Sequence, residues 1–581
     1  MQKHRMVIFM ILLFLALSHC TTARKPVEVE PKVAKDAPVR PVEKKKPVPD
    51  SQPEEQAARD EKTTAQDKRE VLGIAEKDAG SKIAVSRLSK LDFVSAGRRP
   101  DILPDRIQHN TEEYSTIHEN EFLNAAANPL STFSIDVDAA SYSNVRRFLN
   151  QGTLPYKDAV RIEELINYFN YDYDNPSDDQ PFSVNSEVSQ APWNAQHYLV
   201  HLGLQGKKLD TENLQPSNLV FLVDVSGSMQ AANKLPLLRS SFKILLKNLD
   251  RRDRVAIVAY AGAAGLVLPS TPVSERETIL AAIEQLEAGG STAGGAAIKL
   301  AYKVAKQNLI SNGNNRVILA TDGDFNVGVS STSELVRMIE EKRQDGIYLT
   351  ICGFGMGNYK DGRMEEISNA GNGNYFYIDS ITEANKVFAK EMRATLFTIA
   401  KDVKIQIEFN PAKVQAYRLI GYENRLLKKE DFNDDMKDAG ELGAGHTVTA
   451  LYEIIPVGVK SKWVKGVDPL KYQTTETKTG SDSDEWLTVK LRYKKPNEER
   501  SRLITSVLTA NPARFGRGSD NFRFSAAVAA FGMLLRESDF KGSASYATVL
   551  DLARGALGED GDGYRNEFMQ LVQKASLLAL N

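Results

Sequence analysis

Residues 219–230 read LVFLVDVSGSMQ, a run of large apolar residues that is followed at once by polar ones. The run Leu219–Val223 has the length and the β-branched content of a buried strand. Oxygen-bearing side chains then stand at every second position, namely Asp224, Ser226 and Ser228. In parallel sheets covered on both faces, ligands bind at the carboxyl ends of the strands. We therefore predict the first strand of such a sheet, whose exposed end carries a binding site.

Apolar runs of strand length recur between residues 216 and 399, and amphipathic segments of helix length separate them. Strand and helix alternating in this way indicate a mostly parallel sheet that is covered by helices on both faces. The predicted fold class is therefore α/β, with a doubly wound, mostly parallel sheet. The predicted strands are Leu219–Val223, Arg254–Tyr260, Arg316–Ala320, Tyr348–Phe354 and Asn374–Ile378, and the helices between them include Leu235–Leu249 and Glu334–Arg343.

The segments on either side of this domain have a different pattern. Residues 93–215 predict an N-terminal α+β region, and residues 400–581 predict a region that is first β-rich and then helical. We hypothesise that strands before residue 216 pair with strands after residue 400, so that the α/β domain is inserted into one sheet assembly. The predicted C-terminal elements are the strands Val403–Phe409, Thr447–Ile455 and Trp486–Tyr493 and the helices Phe522–Leu535 and Arg565–Leu578.

Two acidic stretches outside the α/β domain are interpreted as structural. Asp136 and Asp138 precede a helical pattern, and we expect them to cap that helix, with cation binding as the alternative. Asp560 and Asp562 are spaced as in a calcium loop, but Leu571 stands where such a loop needs a bidentate glutamate. This second stretch therefore predicts a polar turn between helices.

The first 20 residues have the pattern of an export signal. Basic residues at positions 3–5 precede the apolar stretch Met6–Leu17, whose 12 residues are too few to span a bilayer, which takes about 20. The box from Leu17 to Cys20 resembles a bacterial lipoprotein signal, in which the chain is cut on the N-terminal side of the cysteine and that cysteine is lipidated. His19 departs from the small residue usual there, so an ordinary signal peptide remains the alternative. The resemblance implies a cell-envelope protein anchored by lipid on Cys20, and Thr21 favours the outer membrane over the inner one.

Composition limits what the rest of the chain does. Residues 21–92 contain no aromatic residue and are rich in Pro, Glu, Lys and Ala, which predicts a disordered tether. The whole chain has 74 basic and 76 acidic side chains, so its charge offers no reason to expect nucleic acid as a partner. Of the two cysteines, Cys20 lies in the targeting segment and Cys352 lies in a predicted strand, where we expect a small core residue.

Two more segments bring oxygen-bearing side chains to the edge of the sheet where Asp224 lies. One is the glycine-rich turn 289–295, GGSTAGG, and the other is 319–324, LATDGD, which ends a predicted strand. Hydroxyl and carboxylate oxygens suit Mg²⁺ or Mn²⁺, whereas Zn²⁺ prefers histidine or cysteine. Few formal charges surround the ion, so it stays electrophilic and one position stays open. The predicted metal ligands are Asp224, Ser226, Ser228 and Asp322, with Thr292 or its neighbour Ser291 from the glycine-rich turn.

With these residues in place, the segment 216–399 resembles a von Willebrand factor type A (vWA) domain with a complete metal-ion-dependent adhesion site. The sequence that follows the Asp-x-Ser-x-Ser loop, and the sequence TDGDFNVG at residues 321–328, are similar to those of a bacterial subgroup of such proteins. In that subgroup, N- and C-terminal regions like those of this chain flank the domain. The resemblance covers most of the mature chain, and its flanks imply no function.

The same resemblance implies a role for each ligand. Ser226 and Ser228 are expected to bind the cation directly, and Thr292 and Asp322 directly or through water. Asp224 is expected to act through water and hydrogen bonds. The vacant position implies a protein partner that supplies an acidic side chain.

We therefore expect an exported, lipid-anchored protein that binds a protein partner through a metal ion and is not an enzyme. The glycine-rich turn lacks the Gly-Lys-Ser/Thr ending of a phosphate-binding loop, so no nucleotide is expected. Two alternatives stay open. One is a hydrolase that uses the metal as a Lewis acid, and the other is an envelope protein whose loops the metal merely braces.

Overall fold

The fold is described from a computed structural model that covers residues 112–580, except 178, 210–213, 262, 291–293, 324, 326–331, 358–359, 465–483 and 510. These residues all belong to one unit, Leu103–Asn581. The predicted signal segment with Cys20 and the predicted tether 21–92 lie outside the described residues. None of the helices in the described part of the chain has the length and apolar composition needed to cross a bilayer.

The elements follow one another in three groups along the chain. The first group is β1 (Leu123–Asn124), β2 (Leu130–Ser134), α1 (Ala140–Asn150), α2 (Ile162–Asn167), β3 (Phe182–Ala191) and β4 (Asn194–Gly206). The second is β5 (Ser217–Asp224), α3 (Leu235–Asn248), β6 (Arg254–Tyr260), β7 (Ala264–Pro272), α4 (Arg276–Glu284), α5 (Gly294–Gln307), β8 (Asn314–Thr321), α6 (Thr332–Gln344), β9 (Ile347–Phe354), α7 (Asp361–Ala370), β10 (Tyr375–Ile378), α8 (Ile381–Asn385) and α9 (Met392–Leu396). The third is β11 (Thr398–Phe409), β12 (Val414–Ile420), β13 (Gly440–Gly443), β14 (Thr447–Pro456), β15 (Leu487–Lys494), β16 (Arg502–Leu508), α10 (Asp520–Leu535), α11 (Tyr546–Arg554) and α12 (Tyr564–Leu578).

The middle group forms a six-stranded sheet in the order β10-β9-β8-β5-β6-β7. Five of its strands are parallel and correspond to the five predicted ones, with β5 near the middle and buried along its whole length. The α/β prediction is confirmed, and Cys352 is a buried residue of β9 as expected. The antiparallel edge strand β7 was not predicted. Its exposed apolar residues and its two prolines match an edge position better than a core strand.

The flanking groups share two further sheets. One has the order β1-β12-β14-β4-β3, and in the other β2 and β13 pair with β11, followed by β15 and β16. Strand β4, before the α/β domain, pairs with β14, after it, and β2 pairs with β11 in the same way. The hypothesis of an inserted α/β domain is confirmed, because neither flank completes its sheets alone. Both flanks also contribute buried residues to one apolar core between these sheets, for example Val200 and Tyr452.

The C-terminal helices predicted from the sequence are present, and they pack against the N-terminal ones. Leu165 of α2 and Phe169 share a buried apolar cluster with Phe531 of α10 and Phe568 of α12. Burial of such large side chains stabilises the contact by about 1.5–3 kcal/mol each. Asp560 accepts hydrogen bonds from the backbone N–H groups of Arg565 and Asn566 at the start of α12, which confirms the predicted polar turn.

The predicted capping of α1 by Asp136 and Asp138 is wrong. The side chain of the N-cap residue of α1 makes no capping hydrogen bond. The carboxylate of Glu164, on α2, instead accepts a hydrogen bond from the backbone N–H of Ser141, at 2.7 Å. The two aspartates are buried and face Arg425, at 3.1 and 3.4 Å. Their carboxylates therefore tie the N-terminal flank to the loop after β12.

Asp136 also belongs to a buried acidic group with Glu164 and Glu365, whose carboxylate oxygens lie within 4.8 Å of one another. Arginines already pair with this group, since Arg425 contacts Asp136 and Glu365, while Arg161 contacts Glu164 and Glu365. Burial raises the pKa of Glu164 and of Glu365, which reduces the charge that the arginines must offset. The group is an ion-pair network between α2 and α7, and its pairing with arginines favours a structural role over the cation-binding alternative.

Candidate metal centre

Strand β5 delivers the first predicted ligands to the carboxyl edge of the central sheet. Asp224 is its last residue and is completely buried, and its Oδ1 accepts a hydrogen bond from the backbone N–H of Ser226, at 2.8 Å. This short bond turns the chain back, so that the hydroxyls of Ser226 and Ser228 lie 3.0 Å apart. Ser226 is buried and Ser228 is exposed, which places the pair at the boundary between the protein interior and solvent.

The glycine-rich segment is held against this loop by two backbone hydrogen bonds. The N–H of Gly289 donates to the carbonyl of Val225, at 2.7 Å, and the N–H of Gly227 donates to the carbonyl of Gly290, at 3.0 Å. Thr292 lies outside the described residues. These two hydrogen bonds hold Gly289 and Gly290, which precede Thr292, against the loop of Ser226 and Ser228, in agreement with the prediction that the two segments meet at one edge of the sheet.

Asp322 follows β8, which is the parallel neighbour of β5 in a register that pairs Val223 with Ala320. It is completely buried, and its Oδ2 accepts a hydrogen bond from Nζ of Lys234, at 2.8 Å. The neighbouring strand ends thus bring Asp322 and Asp224 to the same edge. Burial, and to a smaller extent the negative charge of Asp322, raise the pKa of Asp224 to about 6.

Each of the two aspartates keeps one buried oxygen without a hydrogen-bond partner in the described part of the chain. These atoms are Oδ2 of Asp224 and Oδ1 of Asp322. A buried carboxylate oxygen that lacks a partner costs free energy, and a cation would remove that cost. We define the candidate metal centre as Asp224, Ser226, Ser228 and Asp322, together with the predicted ligand Thr292. Its donors are all hard oxygens, which fits Mg²⁺ or Mn²⁺.

Sequence reasoning missed Lys234 at this site. Lys234 is the N-cap residue of α3, and the helix dipole disfavours a cation at that end. A lysine directly before the apolar helix start LPLL is therefore unusual, and this was the one signal in the sequence that its charge is offset by an acidic partner elsewhere. That partner, Asp322, lies 88 residues further along the chain.

A mostly parallel sheet whose central strand ends in Asp-x-Ser-x-Ser defines this chain as a vWA-domain protein. The family model described as von Willebrand factor type A domain matches residues 218–390, and one described as von Willebrand factor matches residues 108–201. Domains of this class generally serve protein–protein interaction or adhesion, and they commonly bind divalent metal ions.

The chain belongs to the family of the uncharacterized protein YfbK. It is 45% identical over 473 residues to YfbK of Escherichia coli strain K12, which covers 80% of this chain and 81% of that protein. The family model described as uncharacterized protein YfbK, C-terminal, matches residues 394–578. The matched region thus extends through both flanks, and the name of this relative assigns no activity.

Other similarities are weaker. The uncharacterized protein sll0103 of Synechocystis sp. is 26% identical over 193 residues, which cover 32% of this chain and 44% of that protein. The solved structure of a von Willebrand factor type A protein from Catenulispora acidiphila has 17% identity and a TM-score of 0.38, and the match covers 67% of this chain and 91% of that one.

Proposed function

We propose that this protein binds a protein partner through a divalent cation, Mg²⁺ or Mn²⁺, held by Asp224, Ser226, Ser228, Thr292 and Asp322. The observation that carries the proposal is a pair of buried carboxylate oxygens, on Asp224 and Asp322, that have no hydrogen-bond partner among the described residues, at the sheet edge where two serine hydroxyls adjoin. A cation at this place supplies a positive charge at the protein surface. An acidic side chain of the partner is the ligand that this charge attracts.

We propose that the site is not catalytic. In the described part of the chain, the hydroxyls of Ser226 and Ser228 hydrogen-bond to each other, and no histidine or lysine side chain hydrogen-bonds to either of them. His197 and His201 are buried in contacts with Glu453 and Tyr173. A hydrolase at this edge would need a general base that can reach the attacking group. The lysine at this centre, Lys234, is instead paired with Asp322.

The partner prediction is tested by affinity capture. The tagged full-length chain is incubated with solubilised envelope proteins in Mg²⁺ and, in parallel, in chelator. We expect the same partner to be captured in Mg²⁺ and lost both in chelator and with Asp224→Ala, because each removes the charge that holds the acidic side chain. Asp253→Asn is the matched control, since Asp253 is a buried aspartate that precedes β6, at the other end of the strands.

Capture that is equal under all these conditions contradicts metal-dependent binding. The bracing alternative gives a different result. The metal then raises the melting temperature of the chain, while capture of the partner does not depend on it.

We further propose that the protein is exported to the bacterial cell envelope and anchored by lipid on Cys20, in the outer rather than the inner membrane. The support is the targeting pattern of residues 1–20 together with Thr21. A single acyl chain binds a membrane only reversibly, so stable attachment needs more than one chain. The proline-rich segment 21–92 would then separate the folded unit from the membrane.

Cys20→Ser tests the anchor. In a Gram-negative host, we expect the full-length chain to incorporate labelled palmitate and to sediment with the outer membrane. The Cys20→Ser variant loses the label and moves largely to the soluble fraction, whereas Cys352→Ser, at the buried cysteine, changes neither. Equal labelling of the wild type and Cys20→Ser would rule out this anchor.

A further inference from the structure

Lys234 places a fixed positive charge inside the candidate metal centre. Its Nζ lies 2.8 Å from Oδ2 of Asp322, and the side chains of the two residues are 9% and 0% exposed. A salt bridge this well buried is screened only weakly by salt and water. The charge of Lys234 therefore acts directly on any ion held by Asp322.

The position of this lysine is set from two sides. Its backbone begins α3, where its carbonyl accepts the N–H of Leu238, at 2.8 Å. Its aliphatic stem crosses Gly355, directly after β9, where an added Cβ would overlap Cε of Lys234. Gly355 has a φ of +75°, and its carbonyl accepts a hydrogen bond from the hydroxyl of Tyr377. A side chain at position 355 would clash with the lysine stem, so glycine is needed there. The stem packed on Gly355 and the salt bridge to Asp322 together hold the ammonium group in one place.

We propose that Lys234 sets the ligand preference of the metal centre. The inference rests on the proposed function and deepens it. Lys234 offsets the charge of Asp322, so that the metal alone binds weakly and the filled site keeps the positive charge that an acidic ligand needs. The ligand class is a carboxylate from a partner protein.

The charges explain this assignment. Asp224, Asp322 and Lys234 together carry one net negative charge when both aspartates are ionised, and a divalent cation turns this into one net positive charge. Without the lysine, the same cation leaves the site neutral. At close range inside a protein, one unit charge is worth enough to change an affinity by about 10-fold or more. Removing the lysine should therefore strengthen metal binding and weaken carboxylate binding.

Because metal affinity should rise while carboxylate affinity falls, the experiment distinguishes this role of Lys234 from a purely structural one. If the lysine merely braced the loop, its removal would weaken metal binding or leave it unchanged. If the ammonium instead replaced the metal altogether, the wild-type chain would bind no divalent ion, whereas the variant would.

The test measures Mn²⁺ affinity of the full-length chain by calorimetry, in chloride and in acetate buffers of equal ionic strength. Acetate serves as the carboxylate probe. In the wild type, we expect acetate to tighten Mn²⁺ binding, because the two ligands favour each other. In Lys234→Met, Mn²⁺ binding in chloride becomes about 10-fold tighter, and the gain from acetate is lost. Lys243→Met, at an exposed lysine of the same helix α3, behaves as the wild type.

Two further variants protect the result against misfolding. Lys234→Gln removes the charge and retains a hydrogen-bond donor for Asp322, and it should behave as Lys234→Met. Lys234→Arg keeps the charge and should behave as the wild type. Cooperative thermal unfolding identifies the variants that are folded.

Each outcome decides between the two proposals. If the wild type binds Mn²⁺ but neither uncharged variant binds it more tightly, the role of Lys234 is overturned while the proposed function stands. If no form of the chain binds Mn²⁺, the metal centre is overturned, and the role of Lys234 with it. If only the uncharged variants bind Mn²⁺, Lys234 replaces the metal, and both the proposed function and this inference are overturned.

Discussion

At the proposed metal centre, we expect Asp224→Ala to lower the affinity of the full-length chain for Mg²⁺ or Mn²⁺ by about 100-fold. The variant removes the buried Oδ2, which has no partner among the described residues, and the Oδ1 that orients Ser226. A group that orients metal ligands through hydrogen bonds typically contributes 10–100-fold to the affinity, and loss of its negative charge adds to this. The expected loss corresponds to about 2.8 kcal/mol of binding free energy.

Asp253→Asn is again the matched control for this experiment. Asp253 is buried, and its two carboxylate oxygens accept hydrogen bonds from the backbone N–H groups of Ser217 and Asp250. It belongs to the same domain but lies before β6, so its variant should leave metal affinity unchanged. Calorimetric titration of metal into chelator-treated protein measures both. Wild-type affinity in Asp224→Ala would show that the ion, if bound at all, is held elsewhere.

Arg146→Met lowers the free energy of unfolding by about 3–5 kcal/mol, the range typical for breaking a buried ion pair. Arg146 lies on α1, and its side chain is 2% exposed. Its guanidinium donates to both oxygens of Asp379, at 2.8 and 2.5 Å, to Glu383 at 2.7 Å and to Glu567 of α12 at 3.0 Å. One arginine therefore joins the N-terminal flank, the α/β domain and the last helix.

The cost arises because the variant leaves two carboxylates buried without their cation. Burial already raises the pKa of Glu383, and the positive charge of Arg146 counteracts this rise. Without the arginine, Glu383 must either take up a proton or remain charged in a poorly solvated place, and Asp379 loses its ion-pair partner. Methionine retains much of the apolar stem, so the measured change reports mainly on charge.

An exposed ion pair provides the control. Lys157 lies 2.6 Å from Glu537 and links the same two flanks, but the two side chains are 59% and 68% exposed. Lys157→Met should therefore cost less than about 1 kcal/mol. Urea unfolding measures both variants, and adding Glu383→Gln to Arg146→Met should recover part of the loss. If Arg146→Met lowers the free energy of unfolding as little as Lys157→Met does, the buried ion pairs of Arg146 do not stabilise the fold.

Local pattern was enough to predict much of the architecture. The five parallel strands, the helices α3 and α6 and the C-terminal helices α10 and α12 agree with the predicted segments within a few residues at either end. Periodicity records which residues are buried, and burial is largely a local property of an amphipathic segment. The edge strand β7 was missed because its prolines and exposed apolar residues match neither of the patterns used.

The candidate metal centre, too, was predictable from the sequence only in part. Asp224, Ser226 and Ser228 lie in one short loop, so their approach follows from sequence spacing alone. That Asp322 joins them follows from the general rule that neighbouring parallel strands end at the same edge of a sheet. Thr292 remains a prediction, because it lies outside the described residues.

The class of the central domain, the edge of the sheet where the site lies and the oxygen character of its donors could all be predicted from residue pattern. Which charged groups meet became visible only in the folded chain: Lys234 pairs with Asp322 across 88 residues, and Arg425 pairs with Asp136 across 289. The folded chain also shows that strands on opposite sides of the inserted domain pair in common sheets. The physical reason is that burial is recorded residue by residue along the chain, whereas the partner of a charge or of a strand edge depends on long-range pairing that no local pattern contains.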